Sequence, residues 1–270
     1  MTNSLSVAIG GFGAIGMAVA RKLDEGIEGL HLACVSARDR EAAAFRMQNF
    51  RKPVPVVAAS ELAEYGDVVV ECAPAAIFAE IAEPALKAGR IFIPLSIGQL
   101  LEHADYEDLA RRHGGRIIVP AGALLGLDAV RAAAEGTIES VTMVTRKPPG
   151  GLVGAPYLEQ QGISLDGLTK PLKIFDGTAR EAARGFPANV NVAAALSLAG
   201  IGPDRTRLEI WADPTVTRNT HVIKVEADST RFEMKIEGVP SPENPRTGKL
   251  TPLSVIATLR GLTAPLRIGA

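Results

Sequence analysis

The feature that most constrains the fold of this chain is a glycine-rich turn close to the N-terminus. Residues 5–10 are apolar and predict a buried strand, and residues 14–25 have the apolar spacing of an amphipathic helix. The junction carries a G-x-G-x-x-G pattern made of Gly11, Phe12, Gly13, Ala14, Ile15 and Gly16. In this context the pattern predicts a dinucleotide site, because the glycines allow a tight turn, close approach of the pyrophosphate and close helix packing.

The first 120 residues alternate between strand-like and helix-like segments. Strands are predicted at 5–10, 30–35, 54–57, 67–71, 91–93 and 116–119, and helices at 14–25, 39–48, 77–88 and 102–113. Alternating units of this kind imply a parallel sheet with helices on both faces. We therefore predict an α/β fold whose N-terminal domain, residues 1–122, is a Rossmann dinucleotide-binding domain.

The pattern changes after Pro120. Helices are predicted at 127–134, 188–198 and 253–262, and alternating strands at 138–146, 207–212, 221–227 and 231–237. These segments predict a second, α+β domain with a mixed or antiparallel sheet at residues 123–244, for substrate binding and dimerisation. We expect the C-terminal segment, residues 245–270, to pack back on the first domain.

Composition narrows the possible partners. The chain has 270 residues and a formal net charge of −1, so no overall field favours nucleic acid or an anionic membrane. No apolar run approaches the ~20 residues of a membrane span, and no signal-like N-terminus is seen, so we expect a cytoplasmic protein. Cys34 and Cys72 are expected to be free thiols on strands separated by the first strand, and no metal site is predicted.

The end of the second strand bears on which dinucleotide is used. An NAD-specific domain carries Asp or Glu here, whereas this chain has Ser36, Ala37 and Arg38, with Asp39 placed to cap the next helix. We expect NAD or NADP as the cofactor, with NADP accepted through Arg38. Later strand ends, at Ala73, Pro74 and Ser96, are expected to line the same site.

Candidate catalytic and substrate residues lie in the second domain. His221 opens a predicted strand and could exchange a proton with a pKa near neutral pH, although a structural histidine at a strand end is an equally good interpretation. Asn189 and Asn191 stand where a helix begins, so one could cap it while the other binds a ligand. Candidate anion contacts are Arg146, Lys147, Arg246 and Thr247.

With these motifs the chain resembles the L-aspartate dehydrogenase family over nearly its full length. The segments that carry the resemblance are 7–16 (VAIGGFGAIG), 120–128 (PAGALLGLD), 145–149 (TRKPP), 186–193 (FPANVNVA), 213–214 (DP), 219–221 (NTH) and 244–247 (NPRT). The resemblance implies oxidation of L-aspartate to iminoaspartate with NAD or NADP, followed by release of oxaloacetate and ammonia. It also implies that the imine can instead supply NAD biosynthesis. It also implies a homodimer, His221 as the catalytic histidine, and cofactor contacts from Ala123 and one of Asn189 or Asn191. Ala121 departs from the serine expected there.

Two alternatives remain open from the sequence. One is another two-domain reductase, of the homoserine or dihydrodipicolinate type, although the Glu-Lys-Pro of sugar oxidoreductases and the paired-histidine motif of dihydrodipicolinate reductases are missing. The other is a non-catalytic NAD(P)H sensor, which would keep the glycines without needing His221.

Overall fold

The computed structural model describes residues 4–187, 190–241 and 247–269. The chain divides into two compact units. The first ends at Gly122 and also includes Thr251–Ile268, and the second extends over Ala123–Leu250. Asn189 and Arg246, both named above as candidate ligands, lie outside the described residues.

Between its first described residue and Gly122, the first unit contains six strands, five α-helices and three short 3₁₀ helices. The strands are β1 (Leu5–Gly10), β2 (Leu30–Ser36), β3 (Val56–Val57), β4 (Val68–Glu71), β5 (Ile91–Pro94) and β6 (Arg116–Ile117). The helices are α1 (Ala14–Glu25), α2 (Arg40–Met47), α3 (Leu62–Tyr65), α4 (Phe78–Lys87) and α5 (Tyr106–His113).

These strands form one parallel sheet in the order β3-β2-β1-β4-β5-β6. This is the order of the doubly wound dinucleotide-binding fold, in which the order of strand addition reverses between β1 and β4. The strands β1 and β4 are apolar runs because both of their faces are covered: Val7 and Ile9 point into one core cluster, and Ala8 into the other. The predicted Rossmann domain is confirmed.

The second unit is built on a five-stranded mixed sheet. Its elements are α6 (Leu127–Ala134), β7 (Ile138–Lys147), α7 (Pro156–Gln161), β8 (Leu172–Thr178), α8 (Ala179–Gly185), α9 (Asn191–Ala199), β9 (Thr206–Ala212), β10 (Thr220–Ala227) and β11 (Arg231–Glu237). The strand order is β11-β10-β7-β9-β8, with β7 and β9 parallel and the other pairs antiparallel. The predicted α+β second domain with a mixed sheet is confirmed.

Alternate residues of the second sheet face a buried side and a more exposed side. Val141, Met143 and Ile223 are at most 1% exposed, on the face where α8 and α9 pack. The opposite face carries ion pairs, such as Lys224 with Glu233 at 3.2 Å. The polar residues that share the buried face with this apolar core therefore need a specific explanation.

The last helix, α10 (Leu250–Thr263), contributes to the core of the first unit. Val255 and Leu259 are fully buried in the cluster that also contains Val19 and Leu23 of α1. The Thr263 hydroxyl donates a 2.8 Å hydrogen bond to the carbonyl of Glu28.

Some element boundaries differ from the sequence expectations. The helix predicted at 102–113 begins only at Tyr106, and a separate 3₁₀ helix at Ile97–Leu101 precedes it. The helices α3, α7 and α8 and the strand β8 had no counterpart in the prediction. Cys34 and Cys72 are free thiols, as expected, and none of the helices in the described part of the chain is long and apolar enough to cross a bilayer.

Candidate active site

The turn after β1 requires glycine at its first position. Gly11 has φ +102°, and a Cβ added there would lie 2.6 Å from the Cys72 carbonyl oxygen. Its N–H donates to the Ser36 carbonyl at 3.1 Å and to the Ser36 hydroxyl at 3.3 Å. The backbones of β1, β2 and β4 therefore converge on this residue, which leaves no room for a side chain.

The other two glycines of the turn differ from each other. A Cβ added at Gly16 would lie 1.9 Å from the Gly11 carbonyl oxygen, so this glycine allows α1 to pack against the turn. A Cβ added at Gly13 would meet nothing within 4 Å, and no side chain caps the N-terminus of α1. Open space beside the N–H groups of a helix N-terminus fits the phosphates of a dinucleotide.

The predicted cofactor residues of the first unit lie along one edge of its sheet. Gly10 is in register with Ser36 on one side and with Glu71 on the other, and Glu71 is in register with Pro94. The segments that follow these strands therefore start from a common edge. They contain the glycine turn and Arg38, Ala73, Pro74 and Ser96, all named from the sequence.

Glu71 organises this edge and was missed by the sequence analysis. Its carboxylate is fully buried and accepts hydrogen bonds from the N–H groups of Ala73 at 2.9 Å, Leu95 at 3.1 Å and Ser96 at 2.9 Å, and from the Ser96 hydroxyl at 3.0 Å. Burial raises the pKa of Glu71, and the bonds from Ser96 oppose that shift. One side chain thus holds the loops after β4 and β5 together. In the sequence, this role could have been inferred from a glutamate that directly follows the apolar run Val68-Val69-Val70.

The end of β2 offers no free carboxylate. The Asp39 carboxylate accepts a 2.9 Å hydrogen bond from the Ala42 N–H and caps α2, as the sequence indicated. Ser36 is buried against Gly11, whereas Arg38 is exposed. The only charged side chain among residues 36–38 is therefore a solvent-accessible cation.

A buried polar cluster in the second unit contains the candidate histidine. His221 on β10 is paired in register with Thr145 on β7, and the Thr145 hydroxyl lies 3.0 Å from the His221 Nδ1. Lys147, two residues beyond Thr145, is on the same face of the sheet. All three side chains are buried: Thr145 is 3%, His221 5% and Lys147 7% exposed.

The electrostatics of this cluster correct one expectation. Burial, together with the nearby Lys147 charge, lowers the pKa of His221 to about 3, so its imidazole is neutral at physiological pH rather than titrating near it. Burial lowers the pKa of Lys147 to about 8. Of these two bases, the amine therefore titrates closer to neutral pH.

Arg146 is not brought to this cluster. Because side chains alternate along a strand, it points to the opposite face of the sheet from Thr145 and Lys147. There its guanidinium donates to the Asp213 carboxylate at 3.0 Å and lies 4.6 Å from the centre of the Trp211 ring. The structure therefore gives Arg146 a role in the packing of that face, and we leave it out of the substrate site.

The remaining candidates of the second unit occupy loops and a helix start. Ala123 is half-buried in the segment before α6, while Ala121 is exposed. Asn191 is the half-buried first residue of α9, whose cap position belongs to Val190 and has no side-chain cap. The Thr247 carbonyl accepts a 2.8 Å hydrogen bond from the Ser241 N–H.

These features define a class: a two-unit, nicotinamide-dinucleotide-dependent dehydrogenase. The family profile described as "Homoserine dehydrogenase, NAD binding domain" matches residues 11–120, and that described as "Aspartate dehydrogenase, C-terminal" matches residues 128–262. The chain is 57% identical to an L-aspartate dehydrogenase of Bradyrhizobium diazoefficiens, covering 99% of this chain and 95% of the relative. It is 54% identical to L-aspartate dehydrogenase 3 of Bordetella bronchiseptica, covering 98% and 97%. The chain therefore belongs to the L-aspartate dehydrogenase family.

A solved structure has the same fold over almost the whole chain. The crystal structure of aspartate dehydrogenase from Thermotoga maritima aligns with a TM-score of 0.72, covering 98% of this chain and 99% of that one, at 24% identity. A scyllo-inositol dehydrogenase of Lactobacillus casei aligns with a TM-score of 0.57 at 12% identity, covering 96% and 86%. At these identities the likeness concerns the fold alone.

Proposed function

We propose that this chain catalyses the NAD(P)-dependent oxidation of L-aspartate to iminoaspartate, which is hydrolysed to oxaloacetate and ammonia, or the reverse amination. The observation that carries the proposal is the buried cluster of His221, Thr145 and Lys147, in the unit that matches the aspartate dehydrogenase profile. A buried imidazole and a buried amine on an otherwise apolar sheet face favour a catalytic role for these residues over a purely structural one, because burying such groups costs stability.

In this proposal, the two units bind different ligands. The first unit, residues 1–122 with the C-terminal helix, binds the dinucleotide through the glycine turn and the N-terminus of α1. Bound dinucleotide supplies the hydride acceptor. The second unit binds the substrate, whose two carboxylates need cationic or amide partners. Asn191 and Thr247 are candidates among the described residues, and Arg246 is a candidate outside them.

His221 acts in this scheme as a neutral hydrogen-bonding group. The Thr145 hydroxyl engages Nδ1 and fixes the orientation of the ring, so Nε2 is the nitrogen left for the substrate or for the water that attacks the imine. Its low pKa keeps the imidazole from becoming a second positive charge beside Lys147.

Four further assignments belong to the same proposal. Ala123 and one of Asn189 or Asn191 contact the cofactor, and NADP is accepted as well as NAD. The protein is a cytoplasmic homodimer. The imine product is available to NAD biosynthesis. The family resemblance supports the cofactor contacts, the homodimer and the link to NAD biosynthesis, and the lack of a free carboxylate at the end of β2 supports the use of NADP. The cytoplasmic location rests on the sequence expectations given above.

A substrate panel tests the central proposal. We expect reduced nicotinamide to form with L-aspartate, and not with D-aspartate, L-homoserine or L-alanine, when each is mixed with the protein and NAD or NADP. The absorbance of the reduced cofactor measures the rate. Turnover of L-homoserine in place of L-aspartate would favour the other reductase, and dinucleotide binding without turnover of any substrate would favour a sensor.

Cofactor choice gives a separate prediction about Arg38. Replacing Arg38 by alanine is expected to raise the KM for NADP by about tenfold, the effect of losing roughly 1.4 kcal/mol from a charge-assisted contact, with little change for NAD. The exposed neighbour Arg40 provides the matched control variant, Arg40→Ala. A wild-type kcat/KM that favours NAD by more than about a hundredfold, a factor equivalent to ~2.7 kcal/mol, would contradict NADP use.

A further inference from the structure

Lys147 occupies an unusual position for a lysine. It is the last residue of β7, its side chain is on the buried face of the sheet, and its carbonyl accepts a 2.8 Å hydrogen bond from the Asp213 N–H. Few lysine side chains are this buried, and lysines that act as general bases are among them. Pairing of Lys147 with Ala212 of β9, and of the preceding Arg146 with Thr220 of β10, fixes the start of the side chain.

The charged groups around Lys147 can be named strand by strand. His221 faces it from β10 and is electrostatically coupled to it. Directly after β9 comes Asp213, but its carboxylate is engaged by Arg146 at 3.0 Å and by the Thr215 hydroxyl at 2.6 Å. The helix α9, which packs on β9, has no ionisable side chain. Lys147 and His221 are therefore the two buried ionisable side chains that the described strands of this sheet place on its apolar face.

We propose that the Lys147 amine is the base that removes a proton from the α-ammonium group of the amino-acid substrate. This inference rests on the proposed function. An ammonium nitrogen has no lone pair with which to form the imine, so one N–H bond must break before Cα is oxidised. That proton forms a new N–H bond at the Lys147 Nζ. The Cα–H bond then breaks, its electron pair leaves as hydride for the oxidised dinucleotide, and the nitrogen lone pair forms the C=N bond.

The acid–base properties of the cluster support this division of roles. With its pKa lowered to about 8, Lys147 is partly neutral at physiological pH and can accept a proton. His221, with a pKa of about 3, is far too weak a base to take a proton from an ammonium group. The imidazole is therefore left to orient the substrate and the water, as described above.

Kinetics of the full-length protein test the role of Lys147. We expect Lys147→Ala and Lys147→Met to lower kcat by about 10²–10⁴-fold, and Lys147→Arg to do the same, because a guanidinium does not release its proton to become a base. The acid limb of the pH profile, with an apparent pKa near 8, should disappear in Lys147→Met. Added ethylamine should partly restore the rate of Lys147→Ala. The exposed Lys235→Ala is the matched control and should behave as wild type.

A measurement without turnover completes the test. The pKa of the His221 imidazole, followed by NMR in the cofactor-free protein, should rise in Lys147→Met because a neighbouring positive charge has been removed. Lys147→Met preserves most of the side-chain volume, so this variant can be used for both the kinetic and the NMR measurements if Lys147→Ala does not fold. An unchanged His221 pKa would overturn the inference. So would an active Lys147→Arg whose only defect is a raised KM, since that result would make Lys147 an anion contact.

Failure of this inference is distinguishable from failure of the proposed function. If the wild-type protein oxidises L-aspartate and the Lys147 variants have a normal kcat, only the proposed role of Lys147 is rejected. If the wild-type protein does not oxidise L-aspartate, the proposed function is rejected, whatever the NMR result.

Discussion

Replacing His221 by alanine is expected to lower kcat for L-aspartate by about 10²–10³-fold, the cost of losing one positioned hydrogen-bonding group, while leaving the dinucleotide Kd unchanged. The loss follows from the buried ring, which Thr145 holds at 3.0 Å and which presents one nitrogen for chemistry. The affinity is retained because the glycine turn that fits the phosphates belongs to the first unit. Steady-state kinetics and titration of the reduced dinucleotide by fluorescence would measure the two quantities.

Two control variants sharpen this result. Thr145→Val keeps the shape of the side chain but removes its hydrogen bond, so we expect a loss of only about fivefold, the equivalent of ~1 kcal/mol for a single bond. His113→Ala removes an exposed histidine on α5 and should change neither kcat nor Kd. A near-normal kcat in His221→Ala would exclude His221 from the mechanism, and a matching loss of dinucleotide affinity would show a structural effect instead.

The first unit was predictable because its signals are local. The apolar run of β1, the glycine turn and the helical spacing of α1 are adjacent in the chain, and the turn itself indicates which strand lies at the centre of the sheet. The helix α6 was predicted at its observed bounds for the same reason. By contrast, β8 was missed: it is an edge strand with two exposed residues at its start and a glycine near its end, so its alternation is weak.

The site was only partly predictable because its contacts are long-range. His221 and Lys147 were both named from the sequence, but the pairing of His221 with Thr145 depends on a strand register between residues 76 positions apart. Glu71 draws its donors from Ser96, 25 positions on. Alternation along β7 did contain one usable signal: Val141, Met143 and Thr145 share a face, which places Arg146 on the other.

Substitution of Gly16 in the glycine turn is expected to reduce both stability and dinucleotide affinity, because this residue packs against the backbone of the turn. In Gly16→Ala the added methyl group would lie 1.9 Å from a backbone oxygen, so α1 must move away from the turn. We expect a loss of about 1–3 kcal/mol in the free energy of unfolding from overpacking. Displacing the helix N-terminus should also raise the dinucleotide Kd by about a hundredfold, equivalent to two hydrogen bonds to charged groups at roughly 1.5 kcal/mol each.

The variant Gly13→Ala tests whether glycine is needed at this position for dinucleotide binding and not for folding. Gly13 has φ −84°, and an added Cβ meets nothing within 4 Å, so the unliganded protein should be as stable as wild type or slightly more stable. Its dinucleotide affinity should nevertheless fall, because the methyl group occupies the space through which the pyrophosphate approaches the backbone. Chemical denaturation and dinucleotide titration of both variants give the comparison. If Gly13→Ala bound dinucleotide as tightly as wild type, the phosphates could not lie against Gly13, and the open space at the start of α1 would need another explanation.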